Sequence, residues 1–172
     1  MSYFPRFYLE KYSGYSHREY ERYMATEIAF GNAGFFDVSH FWGPNRPELK
    51  RHYKFLSLLQ KNYLPSRVQE ILYYVGGKYL SLSDALKAVL PTASTKSLNS
   101  VLCEKLGLLK ITYANTLVIY VNRSKRATLR VSHRGTSYVL QANNFLALKN
   151  DTAIAYSAQV NGKSSDYVAS SR

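Results

Sequence analysis

Residues 108–122 read LLKITYANTLVIYVN, and this stretch decides the fold prediction. Two runs rich in Leu, Ile, Val and Tyr, at 108–112 and 116–122, lie on either side of a short break at Tyr113-Ala114-Asn115. β-Branched and aromatic residues favour extended backbone, and two such runs with a short break between them are typical of a β-hairpin. The stretch therefore predicts two antiparallel strands joined by a turn.

Shorter apolar runs continue toward the C-terminus. Residues 127–131, 138–141 and 154–157 predict three further strands, and the apolar run at 145–148 predicts a short helix. Upstream of the hairpin, the apolar spacing is helical. It predicts a helix that begins at Arg67, a short helix that Pro91 stops, and a third helix over 94–106.

The predicted fold class is α+β, with helices followed by a small, mostly antiparallel sheet in a domain that spans residues 66–172. Residues 1–65 differ from this domain because they are rich in Tyr, Phe, Gly and His. Helical spacing predicts one helix over about 19–30 and another over about 47–60. We interpret residues 1–65 as an irregular and helical, aromatic-rich N-terminal extension that packs on a partner.

Composition narrows the class of protein. The chain has 172 residues, a net charge of +12 and 46% apolar residues, which is typical of one folded domain with an extension. No apolar run reaches about 18 residues, so we expect no membrane span. Cys103 is the single cysteine, which excludes a disulfide framework and a cysteine-based metal site. The charge predicts a polyanionic partner, either nucleic acid or an anionic membrane surface.

The positive charge is unevenly distributed. Residues 105–150 contain no Asp or Glu, whereas most acidic residues precede this stretch. A cationic segment of this length inside a folded domain builds a positive field on one side of the protein, which favours nucleic acid. The cations of this stretch are Lys105, Lys110, Arg123, Lys125, Arg126, Arg130, Arg134 and Lys149.

Motifs for catalysis or cofactor binding are missing from the sequence. The four histidines are scattered, and the sequence has no nucleophile elbow, phosphate-binding loop or dinucleotide-binding loop. Gly76-Gly77-Lys78 is too short to hold a phosphate. We therefore predict that the chain is not an enzyme and uses no cofactor, metal or small-molecule substrate.

Two segments near the C-terminus resemble a known family. Residues 131–139, VSHRGTSYV, resemble the Ser-(Lys/Arg)-Pro-Gly-x-x-x-Tyr strand entry of the small ribosomal subunit protein eight family, with Arg134 in place of Pro. Farther on, Gly162, Ser165, Asp166 and Ala169 keep the spacing of that family's second loop. The resemblance covers about residues 80–169. The hydroxyls that precede the glycine in the family are replaced here, since residues 158–161 read AQVN.

The resemblance implies a structural protein of the small ribosomal subunit that binds ribosomal RNA and contacts neighbouring ribosomal proteins. The added N-terminal extension implies a mitochondrial ribosome, with the cytoplasm as the alternative location. Arginine and lysine bind phosphates, while serines and glycine backbone amides approach the ribose-phosphate chain. The predicted RNA-binding residues are Lys110, Arg123, Lys125, Arg126, Arg130, Ser132, His133, Arg134, Gly135, Asn161, Gly162, Lys163, Ser164 and Ser165.

Residues 81–122 also fit a second class of protein. Their predicted order of two helices and two strands matches a winged helix, with residues 94–106 as the recognition helix and 117–130 as the wing. The alternative function is therefore a DNA-binding regulator or replication protein of a virus or plasmid. Peripheral membrane binding is the weakest alternative, because the sequence has no basic amphipathic helix.

Overall fold

The computed structural model describes residues 17–32, 46–90 and 104–169. These residues form three helices and nine strands. In chain order they are α1 His17–Phe30, α2 Arg46–Tyr63, β1 Val68–Val75, β2 Lys78–Leu80, α3 Leu82–Val89, β3 Leu108–Tyr113, β4 Leu117–Asn122, β5 Leu129–His133, β6 Thr136–Leu140, β7 Phe145–Lys149, β8 Thr152–Val160 and β9 Lys163–Val168.

All described strands belong to one antiparallel sheet with the order β2-β1-β3-β4-β7-β8-β6-β5. The long strand β8 is shared by two neighbours on one edge, since residues 152–157 pair with β7 and residues 159–160 pair with β6. Strand β9 pairs with the other edge of β8. The sheet curls into a half-barrel.

One face of the sheet is covered by α1 and α2. Side chains alternate between the two faces of a strand, so every second side chain of β3 and β4 points toward these helices. Phe55 of α2 packs edge-on against Phe145 of β7, with ring centroids 4.9 Å apart. The buried residues of this core include Met24, Ile28, Phe55, Leu59, Ile111, Leu117, Ile119 and Phe145.

The opposite face is covered by the β5–β6 hairpin. At one end of the hairpin, the Asn122 side chain donates a hydrogen bond to the carbonyl of Leu140 at 2.8 Å. At the other end, the His133 ring nitrogen lies 2.9 Å from the carbonyl oxygen of Asp151 in the β7–β8 turn. The hairpin therefore lies across this face. The second core that it encloses contains Leu108, Leu129, Val131, Tyr138, Leu140, Leu146, Leu148 and Ala158.

The predicted fold class is wrong in its proportions and order. The sheet is large, with nine strands beside three helices among the described residues, and β1 and β2 precede α3. The predicted helix from Arg67 is β1, and the predicted helix at 145–148 is β7. A run of four or five apolar residues fits either a buried strand or a helix, and pairing with β4 and β8 decides the case of β7.

Several predicted elements are confirmed. The helices over 19–30 and 47–60 correspond to α1 and α2, and the short helix before Pro91 corresponds to α3. The hairpin at 108–122 is β3 and β4, which lie inside the sheet. Residues 94–103 of the predicted third helix lie outside the described residues, and β9 was not predicted. Both helices of the predicted extension pack on the chain's own sheet.

Candidate nucleic-acid interface

The loop between β4 and β5 carries three predicted site residues and is folded around a buried serine. Ser124 has no exposed surface, and its hydroxyl oxygen accepts hydrogen bonds from the backbone N–H groups of Arg126 at 3.3 Å and Ala127 at 3.0 Å. The same hydroxyl donates to Oε1 of Glu104 at 2.6 Å. One small side chain thus holds the loop in a single shape while Lys125 and Arg126 remain exposed.

Glu104 completes this loop from the other side. Its carboxylate accepts hydrogen bonds from the backbone N–H groups of Lys125 at 3.1 Å and Arg126 at 3.0 Å. Burial would raise the pKa of the Glu104 carboxyl, but the hydrogen bonds from Ser124 and from these two amides outweigh it, and the pKa is lowered. Consecutive amides of this kind bind anions. Here the chain's own carboxylate takes that place, and the side chains of Lys125 and Arg126 are exposed to solvent.

Asn122 anchors the loop to the hairpin. The residue is fully buried, and its side-chain amide donates to the carbonyls of Ala127 and Leu140, each at 2.8 Å. Its side-chain oxygen accepts a hydrogen bond from the backbone N–H of Ser124 at 2.9 Å. A buried amide with all these bonds satisfied fixes the geometry of the groups it joins. The end of β4, the loop and β6 are therefore held together.

The outer face of the hairpin carries further predicted residues. Residues alternate along β5, so that Leu129 and Val131 are buried while Arg130 and Ser132 are exposed. The turn at Arg134-Gly135 has φ values of 47° and 78°. Two successive positive φ values are typical of the tight turns that match the twist of a hairpin. The turn and Arg130 are thus presented on a rigid support.

The hairpin turn meets one acidic side chain. Nη2 of Arg134 lies 4.0 Å from Oδ2 of Asp151, and both side chains are more than half exposed. An exposed ion pair at this distance contributes little to stability. Arg134 can therefore exchange Asp151 for a phosphate oxygen at little cost.

The second predicted segment joins the same sheet surface. Asn161 and Gly162 form the turn between β8 and β9, and Lys163, Ser164 and Ser165 begin β9. The register aligns Arg130 with Val139, Val139 with Gln159, and Gln159 with Ser164. Directly paired residues point to the same face of a sheet. Arg130 and Ser164 consequently lie in one row across four strands.

Two predicted residues lie away from this surface. Lys110 projects from the opposite face of β3, and its Nζ lies 5.8 Å from the centroid of the Tyr79 ring. The guanidinium of Arg123 lies 4.6 Å from the centroid of the Phe30 ring at the end of α1. We therefore define the cationic hairpin as the exposed residues Lys125, Arg126, Arg130 and Arg134.

Sequence reasoning missed the residues that build the site. Glu104 was the last acidic residue before the acid-free stretch, and its hydrogen bonds to residues 124–126 span about 20 positions in sequence. A polar residue directly after the apolar run 117–121 was the available signal for Asn122. Asp166, part of the family-like spacing, is held by Arg51 of α2 through hydrogen bonds, so its carboxylate serves the fold.

In the described ranges, no helix is both long and apolar enough to cross a bilayer. No group of three or more His, Cys, Asp or Glu side chains in those ranges is placed to hold a metal ion.

No protein-family model, curated protein or solved structure matches this chain. What the cationic hairpin binds is therefore inferred from its own residues and geometry.

Proposed function

We propose that the chain is a non-catalytic RNA-binding protein that docks the cationic hairpin on the phosphate backbone of a folded RNA. The observation that carries the proposal is the exposure of Lys125, Arg126, Arg130 and Arg134 on a loop and hairpin whose shape is set by buried hydrogen bonds. A backbone whose shape is already fixed loses little conformational entropy on binding, and arginine donates paired hydrogen bonds to phosphate oxygens.

The charge balance supports this proposal. The chain carries a net charge of +12, and residues 105–150 contain no acidic residue. Of the acids that contact the cationic hairpin, Glu104 is engaged by backbone amides and Asp151 forms only a long, exposed pair. The hairpin therefore keeps most of its positive field for a partner.

The family-like spacing supports a finer proposal. We propose that the RNA is ribosomal and that the protein is a structural constituent of a small ribosomal subunit, in a mitochondrion, where it also contacts neighbouring ribosomal proteins. Ser132 and Ser164 lie on the same sheet face as Arg130, and Gly162 lies in the β8–β9 turn. Hydroxyls and backbone amides of this kind are groups that contact RNA backbones. The test of this finer proposal is whether the tagged chain cosediments with the small subunit in a sucrose gradient. Sedimentation at the top of the gradient, away from any ribosomal particle, contradicts it.

Filter binding tests the RNA-binding proposal directly. The full chain is titrated with a structured RNA and with duplex DNA of equal length at matched salt, and we expect tighter binding to the RNA. The variant K125A/R126A/R130A/R134A should bind the RNA more weakly, and the slope of log K against log salt should fall by about one for each lost phosphate contact.

A matched control separates this site from general charge. The variant K54A/K61A/K78A/K87A removes four exposed cations elsewhere and changes the net charge equally. It should retain most of the affinity and salt slope. Equal losses in the two variants would overturn the proposed site. A preference for duplex DNA would overturn the RNA-binding proposal and favour the DNA-binding alternative.

A further inference from the structure

A groove of about 790 Å³ runs between α2 and the edge strand β9. Lys50, Lys54 and Lys61 line its helix side and are exposed. Their spacing of four and seven residues places them along one side of the helix. The sheet side is formed by residues 166–169 of β9 and its end. One wall of the groove is thus cationic, and the other is the edge of a sheet.

Among the described residues that line the groove, Asp166 is the acidic one, and it is already paired with Arg51. The Arg51 guanidinium donates hydrogen bonds to both carboxylate oxygens of Asp166, contacts Glu21 of α1 and donates to the Ser157 hydroxyl at 3.0 Å. Burial would raise the pKa of the Asp166 carboxyl, but its interactions with Arg51 lower it, so the carboxylate stays paired. The lysines therefore set the electrostatic character of the groove.

The outer edge of β9 offers backbone hydrogen-bonding groups. The N–H of Ala169 donates to the carbonyl of Ile154 at 2.8 Å, which marks this pair as hydrogen-bonded across β8 and β9. Such pairs alternate along an antiparallel ladder, so the backbone groups of Ser164, Asp166 and Val168 point away from β8. Among the described residues, no strand pairs with this edge.

We propose that this groove binds an extended, acidic segment of a partner protein, which adds a strand to the outer edge of β9. The segment's backbone pairs with the N–H and C=O groups of Asp166 and Val168, while its carboxylates face Lys50, Lys54 and Lys61. Strand addition of this kind takes affinity from main-chain hydrogen bonds and specificity from the side chains on alternate positions. Successive side chains of a strand point to opposite faces of the sheet, so the intervening apolar side chains point away from α2, to the face on which Tyr167 is exposed.

The edge favours a peptide over a nucleic acid. An open strand edge alternates donors and acceptors at the repeat of another strand, and a sugar-phosphate chain has no N–H donor to meet its carbonyls. The proposal is independent of RNA binding, because the groove shares no residue with the cationic hairpin.

Fluorescence anisotropy tests the charge requirement. The probes are a labelled decapeptide of alternating Glu and Val, the corresponding Lys-Val peptide, and a uridine decamer. We expect the Glu-Val peptide to bind the full chain. The variant K50A/K54A/K61A should bind the peptide about tenfold more weakly, because it loses three exposed ion pairs of ordinary strength. The matched variant R67A/K78A/K87A, which also removes three exposed cations, should change the affinity less than about twofold. Equal effects in the two variants, or binding of the uridine decamer in place of the peptide, overturn the proposal.

Amide hydrogen exchange tests the strand pairing. Binding of the Glu-Val peptide should slow exchange of the Asp166 and Val168 amides, which point outward, and leave the Tyr167 amide unchanged. Peptide binding without added protection at those two amides overturns the proposal. The variant K125A/R126A/R130A/R134A should bind the peptide normally, so a failure of the RNA proposal and a failure of this one give different results.

Discussion

The carboxylate of Glu104 accepts a hydrogen bond from the Ser124 hydroxyl at 2.6 Å, and this contact determines the shape of the loop that leads into the cationic hairpin. The two residues are 20 positions apart in sequence. The same carboxylate accepts the backbone amides of Lys125 and Arg126. A negatively charged residue thus organises the most cationic segment of the chain.

Replacing this carboxylate tests its role. E104Q keeps the side-chain size but presents an NH₂ group where backbone donors converge, so we expect the free energy of unfolding to fall by about 2 kcal/mol. We also expect RNA affinity to fall although the positive charge rises, because the loop loses its fixed shape. Urea unfolding and filter binding measure the two effects. A gain in RNA affinity would show that charge alone governs binding.

Acid should destabilise the protein through two carboxyl groups. The pKa values of Glu104 and Asp166 are lowered in the folded state from 4.5 and 3.8. Their contributions are therefore fully present above those unfolded-state values and are lost as the pH falls through the lower folded-state values. The free energy of unfolding, measured by urea titration between neutral pH and about pH 3, should decline on the acid side.

The double variant E104Q/D166N should show a shallower acid decline than the natural chain. E70Q removes an exposed carboxyl from β1 and serves as the matched control. Superimposable pH curves for the double variant and the natural chain would contradict the assignment of the decline to these two groups.

Arg51 joins α1, α2 and the last two strands, and removing it should be costly. R51A leaves the carboxylates of Glu21 and Asp166 without the cation they share, and we expect a loss of about 3 kcal/mol in the free energy of unfolding. R51K keeps the charge but loses the forked geometry, so its loss should be smaller. Urea unfolding distinguishes the two. A change below about 0.5 kcal/mol in R51A would mean that the network adds nothing to stability.

The packing of α2 on the sheet gives a separate prediction. Phe55 is 1% exposed and contacts Phe145, so F55A should lower the free energy of unfolding by about 3–5 kcal/mol. Tyr53 lies two residues away on the same helix and is 54% exposed, and Y53A should change stability by less than about 0.5 kcal/mol. Thermal or urea unfolding makes the comparison. Similar losses in both variants would contradict the placement of α2 on this core.

Local pattern predicted the parts of the fold in which burial on one face imposes a clear period. The apolar spacing of α1, α2 and α3 and the β-branched composition of β3 and β4 led to correct elements. Prediction from local pattern failed at β1, where apolar residues at helical spacing lie in a strand, and at β7, whose residues are buried on both faces. In both cases pairing with neighbouring strands outweighs the local preference.

The candidate site, like the fold, was predictable from the sequence only in part. The identity and order of the cations at 123–134 could be read from the sequence because charge is a property of composition. The groove beside β9 was not readable, since β9 itself was not predicted and its edge faces a helix that lies more than a hundred residues earlier in the chain.

By itself, the sequence determined a strongly cationic chain with a long segment free of carboxylates and a central β-hairpin. Charge and short-range periodicity depend only on the identity of each residue and of its neighbours in the sequence. Only the tertiary structure decided which cations are exposed on the loop and hairpin, which ones lie over aromatic rings, and which acidic residue shapes the loop. Those outcomes depend on hydrogen bonds and packing between segments far apart in the chain, and such contacts form only when the whole sheet closes around its two cores.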